Sequence, residues 1–352
     1  LSGASDTPTV AKQILVSDRD RHVIAFGCDP ITDPGVQDPM LIRFSDQENI
    51  ANWTPEATNT AGDLRIDSGS EIIAAVETRQ QVLVYTDVSL YAMQYLGTPF
   101  TFGINLISEN ITLSGPEALV ASDDQVFWMG REEFYVYNGS VQRIPCTVRG
   151  YVFDDFNVSQ RAKVVAGLNS AHSEVWWFYP SSTSPANNRY VIYNYEENLW
   201  YYGDLMRAGW IDRGVYDTPI GAGLDGYLYS HETGFDDGST TPATPIDSYI
   251  QSSPLDIGDG EQFSLIRRVF PDVSFENSSN DSPYVDITLD VRNISGGNYL
   301  RSSTASYYDN NREQIDFRLR GRQLSFKLTS HLLGTTWRLG SPRIDIRPDG
   351  RR

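Results

Sequence analysis

QVFWMGREEFYVYNGSVQRIP, residues 125–145, decides the fold class of this chain. It reads as three short strands, QVFWM, EFYVY and VQRI, joined by tight turns. The strands are rich in aromatic and β-branched residues, which suit a pleated, half-buried surface. The Asn138-Gly139 pair is a hairpin signal, because both central positions of a type I′ turn need positive φ. The same unit recurs as QVLVYTDVSLYAMQYLG (81–97), RYVIYNYEENLWYYGD (189–204) and GAGLDGYLYSHETG (221–234). Repeats spaced by about 40 to 55 residues, with about four strands each, match the blades of a β-propeller better than a sandwich, whose turns lack a higher period. Such blades bury their apolar faces only against neighbouring blades, so the array must be continuous.

Outward from this unit, the composition agrees with an all-β chain. Of 352 residues, 20 are Tyr, 15 Phe and 7 Trp, set in short runs bounded by Gly, Pro, Asn, Asp and Ser. No segment of helix length sustains a 3.6-residue apolar period, so long helices are not expected. No apolar run reaches the length of a membrane span, and the start lacks the charged and apolar regions of a signal peptide. The first residue is Leu1 rather than Met, as in a processed product or a piece of a longer chain.

The net charge of -18 argues against binding nucleic acid through a phosphate-neutralising surface, which draws on clustered Lys and Arg. The charge is uneven: residues 312–352 hold ten Lys or Arg against four Asp or Glu. An acidic body with a basic end can pair with copies of itself or with an acidic partner. The candidate contacts between subunits or with partners are therefore Arg318, Arg320, Arg338, Arg343, Arg347, Arg351 and Arg352.

The domain reading is a polar lead-in over 1–15, a propeller of about five to six blades over 16–248, a C-terminal antiparallel sheet or sandwich of platform type over 249–346, and a charged tail over 347–352. The stretch GFDDGSTTPATPIDS (234–248) reads as a connector. Beyond it, YVDITLDVRN (284–293), QIDFRLRG (314–321) and QLSFKLTS (323–330) alternate apolar and polar residues, which puts one face on a core.

The catalytic and ligand motifs in the sequence have plain structural readings. GAGLDG (221–226) matches a dinucleotide fingerprint, but it leads into a strand pattern rather than a helix whose N-terminus would hold a pyrophosphate. It reads as a turn inside a blade. The histidines His22, His172, His231 and His331 sit in separate units, without HExxH or a triad signature. Cys28 and Cys146 stand far apart with no CxxC, as buried free thiols. Acidic doublets at Asp123/Asp124, Glu132/Glu133, Asp154/Asp155, Glu196/Glu197 and Asp236/Asp237 offer the minimum for glycoside hydrolysis, yet all fall at expected turn tips. DDGS (236–239) and GDGE (258–261) lack EF-hand spacing. No catalytic, cofactor or metal residue is assigned.

Three stretches carry a family resemblance: SDRDRHVIAFGCD (17–29), EFYVYNGSVQRIPCTVRGYVFDDFN (133–157) with the later YNYEENLWYYGD, and TTWRLGSPRIDIRPDGRR (335–352). The chain resembles tail hub or nozzle proteins of short-tailed bacteriophages, the packaged-DNA stabilisation and tail tubular B-type proteins. The resemblance implies a virion structural protein rather than an enzyme: a propeller with a β-rich platform, a homohexameric ring below portal and adaptor, contacts with distal tail proteins, and a channel that retains DNA and lets it be ejected. It carries no active-site residues and no cofactor. An acidic wall suits such a channel, since a basic one would trap phosphates by counterion release. Two other classes remain open on the residues alone: a carbohydrate-binding or glycoside-hydrolysing propeller acting on host-surface glycan, and a protein-binding scaffold.

Overall fold

The computed structural model describes residues 4, 6–123, 125–258, 260–308 and 313–351. It divides into two compact units, residues 1–232 and 233–352.

The first unit is a run of five antiparallel meanders. Blade 1 contains β1 (Gln13–Ser17), β2 (His22–Phe26), β3 (Leu41–Phe44) and β4 (Gly62–Arg65), and blade 2 contains β5 (Ile72–Glu77), β6 (Val82–Thr86), β7 (Ser89–Tyr95) and β8 (Phe102–Glu109). Blade 3 contains β9 (Leu119–Ser122), β10 (Gln125–Met129), β11 (Phe134–Tyr137) and β12 (Val141–Ile144). A short helix α1 (Arg149–Phe153) and a 3-10 turn (Val158–Lys163) lead to blade 4, made of β13 (Val165–Asn169), β14 (Glu174–Tyr179), β15 (Arg189–Asn194) and β16 (Leu199–Asp204). Blade 5 has three strands, β17 (Gly209–Ile211), β18 (Ile220–Ala222) and β19 (Leu228–Ser230). The first strands of successive blades neighbour one another: β1 beside β5, then β9, β13 and β17. This is the blade arrangement of a propeller.

Aromatic pairs join each blade to the next. Phe44 meets Phe102 at 4.9 Å between ring centres, Tyr85 meets Trp128 at 5.2 Å, Phe134 meets Trp177 at 4.8 Å, and Trp176 stacks on Trp210 at 5.1 Å. Each such pair contributes about 0.5–1.5 kcal/mol beyond its buried area. The strand EVWWFY shows why these runs are continuously apolar: Val175, Trp177 and Tyr179 join the core toward blade 3, while Trp176 and Phe178 join the core toward Trp210. A strand held between two blades is buried on both faces, as in a sheet covered on both sides. Trp210 lies so close to the backbone of β13 that a Cβ on Gly167 would fall 2.2 Å from its Cδ1.

The Asn138-Gly139 turn differs from the expected type I′. Tyr137 pairs with Val141, so the connection has three residues, and only Gly139 is left-handed, with φ +99. The third loop residue removes the need for positive φ at Asn138. GAGLDG forms a hairpin turn between β18 and β19, closed by Gly223 N–H to Tyr227 O at 2.8 Å, with Asp225 Oδ1 accepting from Tyr227 N–H at 3.2 Å.

The second unit is a sandwich. One sheet joins β22 (Ser248–Gln251), β26 (Tyr284–Arg292), β27 (Arg301–Tyr308) and β29 (Gln323–Ser330), with β23 (Leu255–Asp256) also on β29. The other places β24 (Ser264–Phe270) between β28 (Ile315–Gly321) and β31 (Arg343–Pro348). Val285, Ile287, Leu289 and Val291 alternate inward along β26 to share a core with Ile266, Val269, Phe317 and Leu319. Short ladders complete the unit: β20 (Asp236–Asp237) with β21 (Thr244–Pro245), and β25 (Val273–Ser274) with β30 (Arg338–Leu339). The stretch 234–248, read above as a connector, lies in this unit, where the Asp236 carboxylate accepts from Gly334 N–H at 2.9 Å. At the other end, Phe263 exchanges backbone hydrogen bonds with Asp349 (2.7 Å) and Gly350 (2.8 Å), so pairing extends past Arg347.

Candidate functional site

The sandwich has one outer face rich in arginine. In the register of the three-stranded sheet, Leu265 lies opposite both Arg320 and Arg347, and Phe270 lies opposite Arg343. Ile266, Leu319 and Ile346 occupy the opposite, core-facing side. Residues that pair across antiparallel strands share a face, so Arg318, Arg320, Arg343 and Arg347 fall together. A bulge in β24 adds to them. Ile266 pairs with Ile346 and Arg268 with Asp345, which leaves Arg267 as an extra residue and turns two consecutive arginines outward. Sequence reasoning missed Arg267 and Arg268, although the Arg-Arg doublet inside SLIRRVF breaks alternation and is the signal of such a bulge.

The remaining expected arginines lie elsewhere. Arg338 sits on β30 opposite Ser274, Arg351 is exposed and offers its carbonyl to Arg322 at 3.4 Å, and Arg352 falls outside the described residues.

Within the arginine face, Arg320 is paired with Asp349 at 2.5 Å and lies over the Phe263 ring at 3.9 Å, and Arg268 is 3.4 Å from Asp345. Arg343 covers the Phe270 ring at 5.3 Å. Among the described residues, no carboxylate lies within ion-pair distance of Arg267, Arg318, Arg343 or Arg347. Asp316 and Asp345 lie opposite Arg268 in the same register, and Asp349 pairs with Arg320, so six arginines face three carboxylates and the face keeps a net positive charge. The charge contrast between the units is large: residues 1–232 hold 30 Asp or Glu against 14 Lys or Arg, and residues 233–352 hold 16 against 14.

The propeller unit carries its polar groups at the hairpin tips. Tips that follow the first strands are linked between blades 1 and 2, 2 and 3, and 4 and 5: Arg19 donates to Arg79 O at 3.0 Å, Arg79 pairs with Asp123 at 2.5 Å, and Asp212 accepts from Ser170 N–H at 3.2 Å. Beside the last of these contacts, Asn169 Nδ2 lies 3.3 Å from both Glu174 Oε2 and Glu232 Oε1, and His172 Nε2 lies 3.7 Å from Glu232. Burial pushes the Glu174 carboxyl above its usual range, against the hydrogen bond from Trp176 Nε1. His231 accepts from Arg207 Nε at 2.9 Å, and burial, with the Arg207 charge, holds it down to about 4. His22 is buried against Phe44, Tyr95 and Phe102, and burial lowers its pKa as well.

The acidic doublets do not converge. Glu132 and Glu133 pair with Arg149 at 3.7 and 3.1 Å; Asp155 pairs with Arg189; Glu196 accepts from Ser173 at 3.1 Å; Asp124 lies outside the described residues. Each described doublet is thus accounted for by local contacts rather than by a shared groove. Cys28 and Cys146 are free thiols, pushed up to about 12 and about 11 by burial. Among the described residues, no group of three His, Cys, Asp or Glu is placed to hold a metal ion, and no helix is long and apolar enough to cross a membrane.

No protein-family model matches the sequence, and no curated protein matches it significantly. Among solved structures, the chain is similar to Hsv2 of Kluyvelomyces marxianus, at 10 % identity and TM-score 0.38, covering 62 % of this chain and 61 % of Hsv2. It is also similar to an exo-beta-1,3-galactanase of Phanerochaete chrysosporium, at 10 % identity and TM-score 0.32 over 94 % and 95 % of the two chains. The N-terminal domain of Nup159 follows at 8 % identity and TM-score 0.34, over 91 % and 90 %. The match thus spans less than two thirds of Hsv2. With scores below 0.5, these likenesses carry no argument about activity, and the strand topology itself defines this chain as a propeller joined to a β-sandwich.

Proposed function

We propose that this chain is a structural subunit that assembles through the arginine face of its sandwich, docked on the acidic propeller of a neighbouring copy. The observation that carries this reading is the face itself: four arginines without carboxylate partners among the described residues, on a chain whose other unit is strongly acidic. Complementary potentials of this kind steer association and fix register. In the setting suggested by the sequence resemblance, the assembly is a tail hub or nozzle of a short-tailed phage virion, a hexameric ring that continues the DNA channel below portal and adaptor. Distal tail proteins are its other partners. No bond chemistry is involved, a reading supported by doublets held in local ion pairs. An acidic propeller also suits passage of DNA without capture, since such a surface lacks the clustered cations that release counterions.

Sedimentation velocity and negative-stain microscopy of the purified chain, at low and high salt, test this. Rings or ring segments are expected at low salt and fewer of them as salt screens the contact. Arg318→Glu combined with Arg347→Glu is expected to leave monomers with unchanged thermal stability. Monomers under all conditions, with or without portal and adaptor, would overturn the proposal.

A further inference from the structure

A cleft lies between blades 2 and 3. It has a volume of about 310 Å³ and is lined by Thr78, Gln80, Gln81, Gln125, Tyr137 and Asn138, with Gly139. Among the described residues the lining contains no charged side chain. Arg79 and Asp123, on the same two hairpin tips, are paired with each other at 2.5 Å.

Two lining groups are fixed in place. Gln81 is only 8 % exposed and Thr78 9 %. The Gln81 side-chain carbonyl accepts from Gln94 Nε2 at 2.8 Å, while its own Nε2 donates to the Tyr137 hydroxyl at 2.7 Å. Thr78 donates to Gln81 O at 2.8 Å. The chain from Gln94 through Gln81 therefore ends on a phenol oxygen that is already accepting, and its own O–H remains available to donate. Bonds in such a chain polarise one another. Gln80 and Gln125 stand exposed on either side, each with an amide that both donates and accepts.

We propose that this cleft is a binding site for one ring of a neutral sugar. The volume lies at the low end of ligand sites, which run from about 300 Å³ upward, and a pyranose is a ligand of that size. Vicinal hydroxyls each donate and accept, which matches planar amides on facing walls and a free phenol O–H. The Tyr137 ring supplies an apolar surface for sugar C–H groups. A charged ligand would find no counter-charge among the lining residues, and a peptide would have only side-chain partners here, with no open strand edge among them. Among the described residues the lining holds no carboxylate, so the proposed role is binding rather than cleavage.

Saturation-transfer NMR on the whole chain tests this with methyl glucoside, methyl galactoside, N-acetylglucosamine, glucuronate and trialanine at millimolar concentration. At least one neutral sugar is expected to bind, more tightly than glucuronate. Its affinity is expected to fall about fivefold to tenfold in Tyr137→Phe, the effect of losing about one hydrogen bond. Gln80→Ala with Gln125→Ala is expected to abolish detectable binding without changing the melting temperature, because both residues are exposed. No saturation transfer to any neutral sugar, binding untouched by these substitutions, or preferential binding of glucuronate or trialanine would each overturn the assignment.

Discussion

Asp29→Asn is the substitution whose cost follows most directly from the structure. The Asp29 side chain holds the lead-in to blade 1 while only 1 % exposed. Oδ1 accepts from Thr9 N–H at 2.9 Å and Val10 N–H at 3.0 Å, and Oδ2 from the Thr9 hydroxyl at 2.7 Å and Gly35 N–H at 2.8 Å. Burial alone would raise the carboxyl, but these four donors outweigh it and hold the group well below the usual carboxylate range. In asparagine, one oxygen becomes an NH2. At the Oδ1 position it would face two backbone N–H groups, so it takes the Oδ2 position, where Thr9 can turn its hydroxyl but the Gly35 N–H loses its acceptor. A buried unsatisfied donor costs about 1–3 kcal/mol, and loss of charge weakens each remaining bond, giving a total of about 3 kcal/mol. For a unit of this size that corresponds to a fall of about 6–12 °C in melting temperature.

Differential scanning calorimetry across pH checks both size and sign. A depressed carboxyl contributes stability that is complete above the unfolded-state value of about 3.9 and is lost as pH falls toward the folded value. The gap between wild type and Asp29→Asn is therefore full at pH 7 and narrower by about 1 kcal/mol at pH 3. A gap under about 2 °C at pH 7, which is under 1 kcal/mol, or a gap that stays constant down to pH 3, would refute the reasoning.

Three further outcomes are expected. His231 is held down to about 4, so the unfolded chain binds its proton first and stability falls as pH drops from about 6.5 toward 4, by about 2 kcal/mol after allowing for residual solvent contact; His231→Gln should flatten that part of the pH–stability curve. Gly167→Ala drives a Cβ into Trp210 and should cost about 3 kcal/mol by overpacking, whereas Gly139→Ala, in open space at φ +99, should cost about 1 kcal/mol; chemical denaturation separates the two. Iodoacetamide should leave Cys28 unmodified in the native chain at pH 8, since it is fully buried and its thiol is pushed up to about 12, and should label it on unfolding, as mass spectrometry would read.

The strands of EVWWFY, VLVYT and YVDITLDVR were legible because their side-chain pattern is local. A run apolar on both faces implies burial on both sides, and strict alternation implies one core face. The turn chemistry was legible in part: Asn194 Oδ1 accepts from Glu196 and Glu197 N–H at 3.1 and 2.8 Å, as expected of a tip residue. At Asn138-Gly139 the dipeptide predicts a type I′ turn that does not form, because loop length is set by where the flanking strands pair.

The amino-acid sequence by itself determined that this is an all-β chain of repeating meanders, strongly acidic at the front and basic at its end, because composition, charge and two-residue periodicity act over neighbouring residues. Only the tertiary structure decided which groups meet. Strand register, with one bulge, gathers Arg267, Arg268, Arg318, Arg320, Arg343 and Arg347 on one face and leaves Arg338 elsewhere. The packing of blade 2 against blade 3 sets Gln81 beside Tyr137, 56 residues apart in the chain. Long-range contacts of this kind depend on how twisted sheets stack, and no local pattern encodes that.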